Sequence, residues 1–496
     1  MEKSKKVIVI GAGFSGLSAA THLAKAGFQV TVLEKHGHAG GRARVFEQEG
    51  FLFDMGPSWY WMPDVFDRYF ESFGKKTAQM YELQRLSPSY RVFWQENDQT
   101  DVPADLKKLA ELFEVLEPGS SLKLKQFLQE AEYKYEVGMR DMVYKPGIAL
   151  TEYLDTRFIK GMFTTHLFTS FSKFIRRYFS NPKILQLLEF PVLFLGARPK
   201  DIPALYSLMN YADMVLGTWY PKGGMGKIVD AMVKVAIEQG VEFNYEEEVY
   251  RIDCKQKKAY NVHTSKGDHS CDYVVAAADY HHADQNLLEP HYRNYSVNYW
   301  KRRVMAPSCV LFYLGVKGKV NGILHHNLFF DADFDVHAEA IYTHPDWPKQ
   351  PLFYVCAPSK TDPLVAPAGH ENLFVLIPVA PGLKNSSVNT EHYFNLVMER
   401  LEQRVGYSIR QNIVFRRDYT GANFIADYNA FRGNAYGLAN TLLQTGPLKP
   451  KVKNKHLSNF YYTGQLTAPG PGVPPALISG EVVANEIIIQ EKRINK

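Results

Sequence analysis

An α/β fold built on a Rossmann-type dinucleotide-binding unit is predicted by three features near the start of the sequence. Residues 7–10, VIVI, are a short β-branched run with the character of a buried strand. Gly11, Gly13 and Gly16 follow at once in G-x-G-x-x-G spacing, and Leu17, Ala20, Leu23 and Ala24 then recur at helical period. A second strand, residues 30–33, ends in Glu34, eighteen positions after Gly16. Each element has a physical reason. The first glycine permits the tight turn, the second lets backbone approach a pyrophosphate, and the third lets helix and strand pack closely. The helix amino terminus holds negative charge, and the carboxylate accepts hydrogen bonds from ribose hydroxyls.

The bulk properties narrow the rest. With 496 residues, two or three domains are expected, and 46% apolar against 22% charged residues is a globular balance. The net charge of +5 is mild and the basic residues are spread without long runs, so nucleic acid is not an expected partner. Cys254, Cys271, Cys309 and Cys356 match no zinc or dithiol spacing and are too sparse for a disulfide framework. No metal and a reducing, cytoplasmic setting are therefore expected. The start, MEKSKKVIVIGAG, is too short in apolar residues for a signal-peptide core. No apolar run reaches the ~18–20 residues that cross a bilayer, and residues 190–197, FPVLFLGA, read as a core strand or helix piece.

Just past the acidic residue, HAGGRA places Gly40, Gly41 and Arg42. This resembles the second phosphate clasp of FAD enzymes in the amine-oxidase-like group, and it favours FAD over NAD. No second G-x-G-x-x-G is present, so a separate NADPH domain is not expected. Two further stretches sharpen the resemblance: GFLFDMGPSWYW at 50–61 and FYYTGQLTAPGPGVPPALISGEVVANEII at 460–488. With WYPKGGMGKIVDAM (219–232), AAADYHHA (276–283) and YNAFRGNAYGL (428–438), the chain resembles the carotenoid desaturase family from end to end, in particular the bacterial phytoene desaturases.

The resemblance implies a glutathione-reductase-like FAD-binding domain, residues 1–85, 217–290 and 441–496, interleaved with an α+β substrate-binding domain, residues 86–216 and 291–440, carrying a helical lid. Gly11, Gly13, Phe14, Ser15 and Gly16 would cradle the pyrophosphate, Glu34 and Lys35 would lie at the adenosine ribose, and Gly41 and Arg42 would hold the phosphates from the other side. Gly56, Pro57, Ser58 and Trp59 would follow the isoalloxazine edge. Val249, at the end of the strand-like EEEV, would cover the adenine, and Asp279 would close a loop at the same end. Gly464, Gly470, Gly472, Val473 and Pro474 would set a helix amino terminus near the flavin pyrimidine ring, where reduction leaves negative charge. The family's His-Pro-Gly is replaced here by Ala468-Pro469-Gly470, followed by Pro471. A backbone contact survives that change, whereas a role for the histidine does not carry over.

Residues 158–179 place Ile159, Phe163, Leu167, Phe171, Phe174 and Tyr178 at helical spacing, with Lys160, Lys173, Arg176 and Arg177 between them. Such a helix is a lid packed on its own core, or a patch lying on anionic lipid at the inner face of the cell membrane. The implied activity is FAD-dependent desaturation of phytoene or a related C40 carotene, with quinone or dioxygen as the electron acceptor. Glu152 stands where some family members have an aspartate suggested as an acid or base; Glu189 and Asp213 are alternatives by composition. The rival readings are a 1-hydroxycarotenoid 3,4-desaturase, a C30 diapocarotenoid desaturase, an amine or protoporphyrinogen oxidase, and a non-redox scaffold of the same fold that binds prenyl groups or lipid.

Overall fold

The first strand, Lys6–Ile10, lies at the centre of a five-stranded sheet because its side chains from Val7 onward are buried on both faces. Strands Phe460–Tyr462, Tyr273–Ala276, Lys6–Ile10, Gln29–Leu33 and Glu242–Asn244 pair in that order, all parallel. Neighbouring strands on the two sides of the first strand run back through different parts of the chain, and this reversal of order opens a crevice at the carboxyl ends. Helices Phe14–Lys25, Gly226–Glu238 and Val473–Ile494 cover the sheet. The computed structural model describes residues 4–147, 169–193, 196–384 and 387–494.

A second, seven-stranded sheet stands in front of that crevice. Its order is Ile413–Tyr419, Ser308–Lys317, His370–Val379, Phe353–Cys356, His326–Phe329, Tyr90–Phe93 and Gln99–Val102, antiparallel except where His326–Phe329 runs beside Tyr90–Phe93. Strand alternation divides its apolar residues between two cores. Leu311, Tyr313, Phe374 and Leu376 face the first, beneath helices Leu106–Leu116, Ser120–Val137 and Pro182–Leu193. Phe312, Leu314, Val375 and Ile377 face the second, against the helix Ser387–Val405.

Part of the expected lid falls outside the described residues. What is described, from residue 169, contains a short helix Phe171–Ile175, and Phe171, Phe174, Ile175 and Phe179 are buried in the first core. This part is packed against protein. Residues 190–193 close the helix Pro182–Leu193.

Asp213, one of the alternative bases, is buried and accepts hydrogen bonds from the Tyr90 and Thr218 hydroxyls at 2.9 and 3.0 Å. Burial pushes its carboxyl up to about 7 from 3.8. The folded chain thus holds this proton more tightly than the unfolded chain. The associated stability is complete below pH 3.8 and is lost as the pH rises through about 7. Asp213→Asn is expected to raise the melting temperature at pH 8, where it removes a buried charge, and to leave it nearly unchanged at pH 4. Thermal melts at the two pH values check this.

Candidate active site

The turn after the first strand is fixed by backbone. Gly11 N–H donates to the Leu33 carbonyl at 2.8 Å, and a Cβ on Gly16 would stand 2.0 Å from the Gly11 carbonyl oxygen, so the third glycine is a packing requirement. Glu34 is buried, its carboxylate accepting from the Ala12 and His36 amides at 2.8 and 3.0 Å. Two fixed donors hold it at the carboxyl end of the second strand. Lys35 beside it donates to the Ala426 carbonyl at 2.8 Å and stands 3.8 Å from Glu248.

From this turn a cavity with 2240 Å³ of empty space, part of it open to solvent, runs between the two sheets. Gly11, Gly13, Phe14, Ser15, Glu34 and Lys35 line its polar end together with Gly41, Arg42, Val249 and Asp279, and Gly41 packs on Gly13, a Cβ there falling 3.2 Å from the Gly13 Cα. Gly56, Pro57, Ser58 and Trp59 continue the wall toward the second sheet, and Gly464, Gly472, Val473 and Pro474 close it from the carboxy-terminal segment. Gly16 and Gly470 do not reach the cavity: Gly470 lies against Lys449 and Asn440. Val249 begins the strand Val249–Lys255 and does not end one, because Glu246 takes a left-handed backbone conformation at φ 54° and interrupts the extended run.

Both chain ends meet at one point. A Cβ on Gly464 would lie 3.2 Å from the Ser15 hydroxyl, and the Ser479 hydroxyl accepts from Gly464 N–H at 3.1 Å. The amino termini of the first and last helices therefore open on the same cavity.

Arg42 provides a test of whether the residues fit a dinucleotide. Its guanidinium lies 5.2 Å from the Tyr428 ring centroid and is in the field of buried Asp279, while its Nε is buried with no hydrogen-bond partner. A buried cationic donor left unsatisfied costs about 1–3 kcal/mol or more, and a phosphate oxygen would supply the missing acceptor. Burial also raises the Asp279 carboxyl, which caps the helix Tyr280–Gln285 by accepting from His282 N–H at 3.3 Å. The site fits an anion held between a glycine turn and an arginine.

Beyond Trp59 the cavity becomes apolar. Trp61, Met62, Leu311, Phe374 and Leu376 line it, and sequence reasoning had not singled them out for a site. No local pattern marks them, because Leu311, Phe374 and Leu376 alternate with equally apolar neighbours that face another core. Trp59 stacks on His326 with ring centroids 4.0 Å apart and planes at 10°. His326 Nδ1 is 2.6 Å from the Tyr354 hydroxyl, which is 3.0 Å from Ser58 Oγ. His325, His326 and Cys356 form the one cluster of metal-type donors among the described residues, with donor atoms within 4.8 Å. Glu152 lies outside the described residues, and Glu189 is paired with Arg176 at 2.7 Å.

The residues 14–488 match the family model described as flavin containing amine oxidoreductase. The chain belongs to this family and is an FAD-dependent oxidoreductase. Among its relatives, the carotenoid 3,4-desaturase of Haloarcula japonica is 42% identical over 484 residues, covering 97% of this chain and 98% of that one. A zeta-carotene-forming phytoene desaturase of Myxococcus xanthus is 30% identical over 496 residues, covering 98% and 94%. In fold, the chain is similar to a crystal structure of an oxidoreductase from Methanosarcina mazei, with a TM-score of 0.64 at 17% identity and coverage of 97% and 100%.

Proposed function

We propose that the chain is an FAD-dependent carotenoid desaturase acting on a C40 carotene, with residues 1–85, 217–290 and 441–496 as the cofactor unit and 86–216 and 291–440 as the substrate unit. The observation that carries this reading is the continuity of one cavity, from a glycine turn and arginine at its polar end to a wall of Trp59, Trp61, Leu311, Phe374 and Leu376 at the other. FAD, when bound, supplies the two-electron acceptance that converting C–C to C=C requires. Gly13, Phe14 and Ser15 would bind its pyrophosphate with Arg42, and Glu34 its ribose. The apolar wall orients a hydrocarbon and excludes water, which is most of what the chemistry asks of the protein.

A second reading concerns which bond is oxidised. The relative named carotenoid 3,4-desaturase shares 42% identity, against 30% for the phytoene desaturase, which favours the 3,4 position over the first desaturation of phytoene. Expression in hosts accumulating phytoene, lycopene or a 1-hydroxycarotenoid separates the readings. Red pigment from phytoene supports the first, loss of two hydrogens from the later carotenoids alone supports the second, and unchanged pigment in every host refutes both.

Such substrates reside in lipid, so delivery calls for peripheral contact with a membrane, and a quinone there, or dioxygen, suits the role of terminal electron acceptor. No helix among the described residues is long and apolar enough to cross a membrane. Helices Leu106–Leu116 and Ser120–Val137 support a surface contact: Val115 and Leu122 are 82% and 72% exposed, on helices that also expose Lys107, Lys108 and Lys125. The protein is expected to pellet with liposomes containing anionic lipid at low ionic strength and to be released by salt. Protein that stays in the supernatant at low salt refutes the membrane contact.

A further inference from the structure

We propose that Tyr354, working with His326, is the group that takes the proton released in desaturation, a role that rests on the function proposed above. Loss of two hydrogens from adjacent carbons sends one as hydride, with its electron pair, to FAD. The other carbon–hydrogen bond breaks heterolytically, its pair becomes the new π bond, and a proton must go to a base. The carboxylates that line the cavity among the described residues are already engaged away from its apolar end. Glu34 accepts from two backbone amides, Asp279 caps a helix, and Asp427 is paired with Arg44 at 2.8 Å. Glu247 is hydrogen-bonded to Thr264 and His269, and Glu248 faces Lys35.

The apolar end offers instead the chain Ser58–Tyr354–His326. Tyr354 and Ser58 line the cavity, and the Tyr354 hydroxyl is bracketed by His326 Nδ1 at 2.6 Å and Ser58 Oγ at 3.0 Å. The Tyr354 oxygen takes the substrate proton as its own proton passes to His326 Nδ1, the arrangement by which a histidine activates a hydroxyl. Burial holds the His326 imidazole well below the usual histidine range. A depressed base suffices here, because a carbon next to a developing allylic cation is a very strong acid, and it does not retain the proton. Ser58 is the exit. It also lines a small second cavity beside Asp54, Tyr220 and His325, where burial pushes the Asp54 carboxyl up to about 6. The stacking of His326 on Trp59 fixes the ring that holds Tyr354 in place.

Tyr354→Phe removes one oxygen and keeps the ring. It is expected to slow carotene-dependent flavin reduction by about 10²–10⁴-fold, the usual contribution of a positioned base, with carotene affinity and the flavin spectrum unchanged. Tyr393→Phe, whose hydroxyl donates to the Pro348 carbonyl away from the cavity, is expected to keep the wild-type rate. In protein without carotene or flavin, ¹⁵N-histidine labelling is expected to show an unprotonated His326 Nδ1 signal, displaced by the hydrogen bond it accepts from the Tyr354 hydroxyl, that moves in Tyr354→Phe. A Tyr354→Phe enzyme that turns over at the wild-type rate, or a resting protein lacking that signal, overturns the relay and leaves the desaturase reading intact. A wild-type protein that converts no carotenoid overturns both.

Discussion

Gly480→Val is expected to give protein that is poorly soluble and colourless, although residue 480 does not itself line the cofactor cavity. A Cβ at Gly480 would lie 2.3 Å from the Ser15 carbonyl oxygen, 2.7 Å from the Ser18 Cβ and 2.8 Å from the Ala19 nitrogen. Two of these three atoms are backbone of the first helix, so no rotamer change relieves the clash and the two helices must part. Overpacking of this kind costs about 1–3 kcal/mol even where side chains can shift, and backbone against backbone lies at or above the top of that range. Separation would also carry away Gly464, which lies against Ser15, and residues 472–474 at the start of the last helix, which line the cavity. Flavin content per folded chain, from the ratio of visible to ultraviolet absorbance, is the measurement. Gly480→Ala, with one carbon, is expected to fall between wild type and Gly480→Val. A Gly480→Val protein that is yellow and melts like wild type would mean that the helix contact does not hold the two ends of the site together.

How much of this was legible in the sequence follows from where each signal resides. Local signals were read well. The run VIVI, the glycine spacing and Glu34 gave the strand, turn and second strand, because each depends on neighbours within a few dozen residues. Gly464 and residues 472–474 were placed by resemblance, and the contact with Ser15 follows from a helix packing more than 450 residues away in sequence, which no local pattern encodes. The apolar wall was not read. Leu311, Phe374 and Leu376 alternate with equally apolar neighbours that face a different core. A strand buried on both sides looks uniform, so periodicity could not tell which residues face the cavity. Tyr354, His326 and Ser58 come from three separate segments, and only strand register brings His326 opposite Cys356, two positions from Tyr354. At residues 158–179 the same uniformity worked in reverse. An aromatic, basic stretch suits a lipid surface and a protein core equally, and its described part is core.

Arg42→Met is expected to weaken FAD binding by about 30-fold to more than 1000-fold, the equivalent of about 2–5 kcal/mol, as when one member of a buried, hydrogen-bonded charge pair is removed. Methionine keeps the length and apolar stem of arginine, so packing against Tyr428 is largely preserved and the change isolates the charge. Tyr428 covers the guanidinium face, the Asn434 carbonyl stands 3.4 Å from Nη2, and Nε is buried without a partner. The protein thus leaves one buried donor unused on a residue that lines the cavity. It also sets Asp279 nearby as a partial counter-charge, and the burial of that carboxyl raises it from the usual range. Removing the cation strands Asp279, so the variant without cofactor is expected to be less stable at pH 8 than at pH 5, where a raised carboxyl is more readily protonated. Its folded-state value lies above the unfolded one, and the stability tied to it is therefore lost as the pH rises. Titration of apoprotein with FAD, followed by flavin fluorescence, gives the affinity, and melts of the apoprotein at the two pH values give the second readout. Wild-type affinity in Arg42→Met would mean that the glycine turn and Glu34 hold the dinucleotide unaided and that the buried cation serves only to neutralise Asp279. The two readouts separate these cases, because neutralising Asp279 affects the apoprotein melts whether or not a phosphate ever reaches Nε.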